Sequence, residues 1–189
     1  IAGPGNIYVT LAKKEVYGAV GIDMLAGPSE ILIIADNKQD PVFVAADVLS
    51  QAEHDRLARA LLLTDDAAFA QTVAAEVDRQ LALLPRKDIA AYSVEHAGGI
   101  ILVKDQEEAC DLANRIAPEH LELAAENCEE LLPKIKNAGA VFMGSYTPEP
   151  VGDYFAGPNH TLPTGGTARF FEVLNQDIFL RKMLSLIHI

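Results

Sequence analysis

The sequence predicts an α/β fold, a mostly parallel sheet flanked by helices, and three observations carry that expectation. Short apolar and β-branched runs alternate with helix-length periodic segments between about residues 30 and 143, the pattern of a sheet covered by helices on both faces. One run, EILIIAD at 30–36, is apolar almost without a break, as a strand buried on both sides requires. The length, 189 residues, suffices for one complete core and leaves no room for a second large one.

Taken in order, the opening segment IAGPGNIYV contains the turn motif GPGN at 3–6, and a second one, AGPSE, follows at 26–30. Glycine at such turns exposes backbone donors and admits close approach by a ligand, although neither motif is the G-x-G-x-x-G dinucleotide fingerprint. After the strand at 30–36, Asp40 and Pro41 start a helix, because proline suits a first turn and Val44, Val48 and Leu49 recur at helical spacing through PVFVAADVLSQAEHD. ARALLLT at 58–64 reads as a strand, followed by a helix capped by Asp65 that runs to about residue 83. GGIILVK at 98–104 is the next strand, and Asp105 with Glu108 forms a capping-box signature for a helix over about 106–116. LELAA at 121–125 reads as a short strand, ENCEELLPKIKNAG as a helix interrupted or bent near Pro133, and AVFMG as the closing strand. Ligands of such a sheet are expected beyond the carboxyl ends of its strands. Residues 144–167, GSYTPEPVGDYFAGPNHTLPTGGT, concentrate glycine and proline, and a loop of that length in a compact domain is usually functional or disordered.

Composition narrows the classes of partner. With 15 basic against 27 acidic side chains the net charge is -12, and the basic pairs Lys13-Lys14, Arg86-Lys87 and Arg181-Lys182 are isolated, so neither nucleic acid nor an anionic membrane is an expected partner. Cys110 and Cys128 form no CxxC pair, which fits a reducing compartment. Cys110, on a helical position, reads as an inert core thiol. No apolar run reaches the length of a membrane span and no signal-like segment opens the chain; the expected location is the cytoplasm. The chain begins at Ile1 in an apolar stretch and closes on DIFLRKMLSLIHI. Both ends read as cut, and the functional unit is expected to be larger.

Three segments could carry chemistry. In SQAEHD at 50–55, Gln51 and His54 are three apart and share a helix face, so an amide oxygen and an imidazole nitrogen could reach one cation. Two donors are fewer than a zinc site needs, and the segment reads equally as a solvated helix end. In APEHLE at 117–122, Pro118 ends the preceding helix and sets Glu119 and His120 side by side, as a pair of proton-transfer groups or as a polar turn. The long loop adds Glu149, Asp153 and His160, of which Asp153 could complete a metal shell and His160 could orient a ligand; turns alone also explain its composition.

FVAADVLSQAEHD, IAPEHLEL and GDYFAGPNHTLPTGGTARF, with GPGN and AGPSE upstream in the same order, resemble the histidinol dehydrogenase family over essentially residues 1–180. The resemblance implies an incomplete portion of a larger multidomain enzyme with Rossmann-like domains: 1–28 closing the second domain, 29–175 forming most of the first, and 176–189 starting a truncated carboxyl-terminal region. It implies a zinc-containing, NAD-dependent homodimer that oxidises L-histidinol to L-histidine through a bound aldehyde, in the last steps of histidine biosynthesis. Gln51, His54 and Asp153 match three of four protein ligands of a zinc that orients substrate. His120 matches the base that takes the alcohol proton, and Glu119 the group that activates water on the aldehyde. Ser29, Glu149 and His160 match substrate-side positions, together with Gln51, His54, His120 and Asp153, and Asn6 matches an NAD contact.

The departures from the family are in length and at the end. Members are more than twice as long, so most NAD contacts and the fourth zinc ligand fall outside this chain, and SLIHI does not follow the family pattern, so His188 is not assigned to zinc. The isolated chain is therefore expected to lack full activity. Two rivals remain: a zinc-dependent hydrolase, which would have no NAD requirement, and a noncatalytic metabolite-binding fragment, which would bind without producing NADH.

Overall fold

The computed structural model describes residues 1–3 and 5–188; Pro4 of the GPGN motif and Ile189 of SLIHI lie outside the described residues. The centre of the fold is a parallel sheet of five strands, β1 (Glu30–Ala35), β2 (Arg59–Thr64), β3 (Gly99–Leu102), β4 (His120–Ala124) and β5 (Ala140–Met143), in the order β3-β2-β1-β4-β5. Successive strands step outward from β1 to β3, then the chain returns and continues on the other side of β1. That reversal of direction is the doubly wound, Rossmann-like arrangement.

Every residue of β1 is buried, and its side chains alternate between two cores as a pleated strand demands. Ile31, Ile33 and Ala35 pack with α2 (Pro41–Ala52), α3 (Ala67–Leu81) and α4 (Lys87–Ala97), through residues such as Val44, Val48, Phe69, Val73 and Ala90. Leu32 and Ile34 pack on the opposite face with Ala109, Cys110 and Ala113 of α5 (Gln106–Ile116) and with Leu131 of α6 (Cys128–Leu131). Each large side chain taken out of water here contributes about 1.5–3 kcal/mol. Cys110 is buried and its thiol acidity is weakened by that burial, in keeping with an inert core thiol.

Helix boundaries follow local capping. Asp40 accepts from the Val42 N–H with Pro41 in the first turn, as expected. The cap of α3 is Asp66 and not Asp65: Asp66 has extended backbone and accepts from the Phe69 N–H at 2.8 Å. Asp105 caps α5 through the Glu108 N–H, and Glu108 reaches back one residue further than a capping box would, to the Lys104 N–H. Around Pro133 the chain does not continue as a bent helix; α6 stops and a single 3-10 turn, Leu132–Lys134, follows, with Asn114 accepting from the freed N–H groups of Lys136 and Asn137. Two helices fall outside the sequence expectation, α1 (Ile7–Val16) and α4. The long loop also carries structure, a short helix α7 (Glu149–Val151) running into a wide turn over Gly152–Ala156.

Candidate active site

Parallel register places the first residues of neighbouring strands together, so Ile31 of β1 stands beside His120 of β4 and Glu30 beside Glu119. The Glu30 N–H donates to Glu119 Oε2 at 2.9 Å, and the Glu30 carbonyl lies 2.9 Å from His120 Nδ1. A carbonyl can only accept, so Nδ1 carries the imidazole proton and Nε2 keeps its lone pair. That Nε2 is buried and has no hydrogen-bond partner. Burial holds the His120 pKa below the ordinary histidine value, so the ring is neutral near pH 7. Burial, reinforced by the carboxyls of Glu30, Asp153 and Glu149, pushes Glu119 up to about 8. The main chain of one residue, Glu30, thus holds a neutral base and a carboxyl with its pKa raised to about 8.

The opposite wall comes from α2 and the turn after it. The apolar face of α2 packs on the sheet, Asp47 and Gln51, four apart, share a second stripe, and His54 stands not on the helix face the sequence suggested but in the turn just past the helix end, its N–H bonded to the Gln51 carbonyl. Gln51 is 1% exposed, and neither its Oε1 nor its Nε2 has a hydrogen-bond partner. A buried amide left in this way costs about 1–3 kcal/mol, which a ligand at that position would recover. The long loop supplies the third wall. Glu149 is buried with Oε1 3.8 Å from His120 Nε2, and its pKa is raised, first by burial and then by the adjacent Asp153 carboxyl. His120, Glu149 and Asp153 each bring one donor atom to within 4.8 Å of the others.

These walls enclose a cavity of about 300 Å³ lined by Ser29, Gln51, His54, Glu119, His120, Asp153, Tyr154 and His160. Seven of the residues singled out in the sequence therefore meet in one place, with Glu149 beside them. Asn6 does not line this cavity; it is exposed and caps α1, accepting from the N–H groups of Tyr8 and Val9. The donor set of amide oxygen, imidazole nitrogen and carboxylate oxygen at Gln51, His54 and Asp153 fits a zinc ion, and the unpartnered Gln51 amide is the feature of this chain that such an ion would satisfy.

The location corrects one expectation. The cavity lies at the amino-terminal edge of the sheet, not beyond the carboxyl ends of the strands. The helices run antiparallel to the strands, so the end of α2 and the start of β4 meet on that edge, and the loop after β5 folds back toward it. At the carboxyl edge, around the β1/β4 reversal, a separate hollow is lined by Asp36, Asp65, Asp66 and Glu126, without the glycine-rich turn that would cradle a phosphate.

Sequence reasoning missed Glu30, Asp47 and Glu122. The signal was present: Glu30 and Glu122 are carboxylates set in the buried strands EILIIA and HLELA, where an apolar residue would be expected, and Asp47 lies one helical turn before Gln51. Tyr154 is exposed at the cavity mouth.

Comparison with known proteins gives this chain a family. A curated relative from Geobacter sulfurreducens, "Histidinol dehydrogenase", is 61% identical over 182 residues, 96% of this chain and 42% of the relative. The crystal structure of histidinol dehydrogenase from Elizabethkingia anophelis superposes with a TM-score of 0.92 at 47% identity, covering 97% of this chain and 42% of that one. The gamma-glutamyl phosphate reductase of Thermotoga maritima, 14% identical with a TM-score of 0.56, shares the fold alone. The chain thus spans less than half the length of the histidinol dehydrogenases it matches. The family model for histidinol dehydrogenase matches residues 1–188, and this chain belongs to the histidinol dehydrogenase family.

Proposed function

We propose that the protein carrying this chain oxidises L-histidinol to L-histidine by way of L-histidinal, passing two hydrides to two NAD molecules. The reading is carried by one observation, the Glu30 peptide that presents a neutral His120 and a Glu119 titrating near 8 to the cavity. In the first oxidation His120 Nε2 takes the alcohol proton while the carbinol hydride leaves to NAD. Glu119, in its ionised form, takes a proton from water as the oxygen adds to the aldehyde carbon, and the hydrate loses the second hydride to give the carboxylate. One alcohol, one water and two NAD are converted to one carboxylate, two NADH and three protons. Burial suits His120 to this task, because a ring held neutral is ready to accept a proton.

Gln51, His54 and Asp153 would hold zinc, with a fourth protein ligand from outside this chain. When bound, the ion supplies a Lewis-acidic anchor for the substrate's imidazole and amino group. Ser29, Glu149 and His160 would complete the substrate's polar surroundings, and Asn6 would contact NAD through the amide N–H group that its capping role leaves free. A cytoplasmic homodimer completes the proposal.

The test is a chimera in which residues 1–182 of this chain replace the matching segment of the Geobacter sulfurreducens relative. Absorbance of NADH should rise on addition of L-histidinol, NAD and zinc, with two NADH formed per histidine. Zinc binding without any NAD reduction would overturn the proposal, and cleavage of an amide substrate without NAD would point to a hydrolase instead.

A further inference from the structure

We propose that Glu122 is a positioning residue: its carboxyl, backed by Asp47, holds the main-chain N–H of Glu149 and thereby seats the turn that carries Glu149 and Asp153 on the sheet. The inference rests on the functional reading above and adds to it the device that places the metal-side carboxylate.

On the side of β4 that faces α2, the side chains are His120, Glu122 and Ala124, whereas the same side of β1 is Ile31, Ile33 and Ala35. Glu122 is 4% exposed. A carboxyl in such surroundings is costly unless its oxygens find partners. Its Oε1 accepts from the Glu149 N–H at 2.8 Å, and Asp47 of α2 stands against it, close enough to share a hydrogen bond. Glu122 does not line the active-site cavity, so any effect it has on the chemistry passes through another residue.

That other residue is set by the loop's attachment. Between Ser145 and His160, the Glu149–Glu122 bond is the one hydrogen bond from the main chain to the sheet among the described residues. A second seat lies one step on, where Gly152 rests so closely on Phe142 of β5 that an added Cβ would fall 2.6 Å from the ring. Asp153 follows directly, delivered to within 4.8 Å of His120 and Glu149. Glu122 and Phe142 are therefore two points on the sheet at which the loop is seated.

The hydrogen-bond pattern predicts an unusual substitution profile. A protonated Glu122 accepts at Oε1 from Glu149 and donates its O–H to Asp47, and burial next to Asp47 and Glu149 favours that protonated form. Glutamine reproduces both, with a carbonyl oxygen toward Glu149 and an N–H toward Asp47. Leucine fills the space and supplies neither.

The experiment measures zinc affinity of the chimera, stripped of metal, by competition with a chromophoric chelator, alongside kcat and KM for L-histidinol and a thermal melt. Glu122→Gln should bind zinc within about threefold of the parent, whereas Glu122→Leu should bind about 10- to 100-fold more weakly and show a raised KM for histidinol, the usual size of an effect on groups that orient a metal ligand. Equal zinc affinity in Glu122→Leu and the parent would overturn the inference, as would Glu122→Gln behaving like the leucine variant. Should the leucine variant not fold, hydrogen exchange in the parent decides: the Glu149 amide should exchange at least about tenfold more slowly than those of Ser145 and Tyr146, and equal rates would overturn it. If the parent chimera neither binds zinc nor reduces NAD, the functional reading fails, while the exchange measurement still judges the clamp.

Discussion

At the scale of single residues, the proposed chemistry leans on Glu30 more than its place in a strand suggests. Its N–H fixes Glu119 and its carbonyl fixes the tautomer of His120, so both groups are aimed by one backbone unit. Because Glu119 titrates at about 8 and would act ionised, kcat/KM of the chimera should rise between about pH 7 and 9 as Glu119 loses its proton. Glu119→Gln should remove that rise together with about 10²–10⁴ of the rate; an unchanged pH profile would exclude Glu119 as the group responsible. The motif APEHLE made Glu119 and His120 legible from sequence, since adjacent acid and imidazole after a helix-ending proline are conspicuous. The part played by Glu30 was not legible, because main-chain atoms do the work and any residue type has them.

At the scale of elements, the strands were legible as apolar runs, EILIIA buried throughout and RALLLT and GIIL even where part of the run is exposed. The missed helices are those whose covered face lacks large apolar residues: α1 buries only Lys13, and α4 only Ala90 and Ser93. Apolar periodicity cannot report a face built that way. The junction of β4 and β5 is similarly tight, since an added Cβ at Gly139 would lie 2.5 Å from the Glu119 carbonyl oxygen. Backbone cannot yield as a side-chain tip can, so Gly139→Ala should cost about 1–3 kcal/mol in a urea melt and lower kcat by displacing Glu119; an unaffected midpoint would show that the junction relaxes freely. The buried pair on α2 and β4 has its own pH signature. Burial holds both Glu122 and Asp47 above their ordinary values, so the folded chain binds these protons more tightly than the unfolded one. Their contribution is complete below the ordinary values, 3.8 for Asp47 and 4.5 for Glu122, and is lost as pH rises through the raised values, about 6 and about 9. Glu122→Gln has no such proton to lose and should show a smaller fall in Tm than the parent between about pH 6 and 9; parallel curves would contradict the assignment.

At the scale of the whole molecule, 189 residues hold an open, doubly wound sheet and a cavity whose walls come from β1, α2, β4 and the long loop. The family's full lengths are more than double the matched segment, and Asn6, the residue matched to NAD, lies away from the cavity. The 189-residue chain alone, supplied with zinc, L-histidinol and NAD, is therefore expected to give no sustained NADH production, and turnover comparable to that of a full-length relative would refute this. The fold class was legible because parallel strands announce themselves as apolar runs. The edge that bears the site was not, because it depends on which way α2 and the loop after β5 run back along the sheet. None of the residues proposed for the reaction lies in the turns on the far side, around Asp65 after β2 and Lys104 after β3. A reporter peptide or an affinity tag spliced there, with the caps at Asp66 and Asp105 kept, should leave the proposed reaction centre undisturbed.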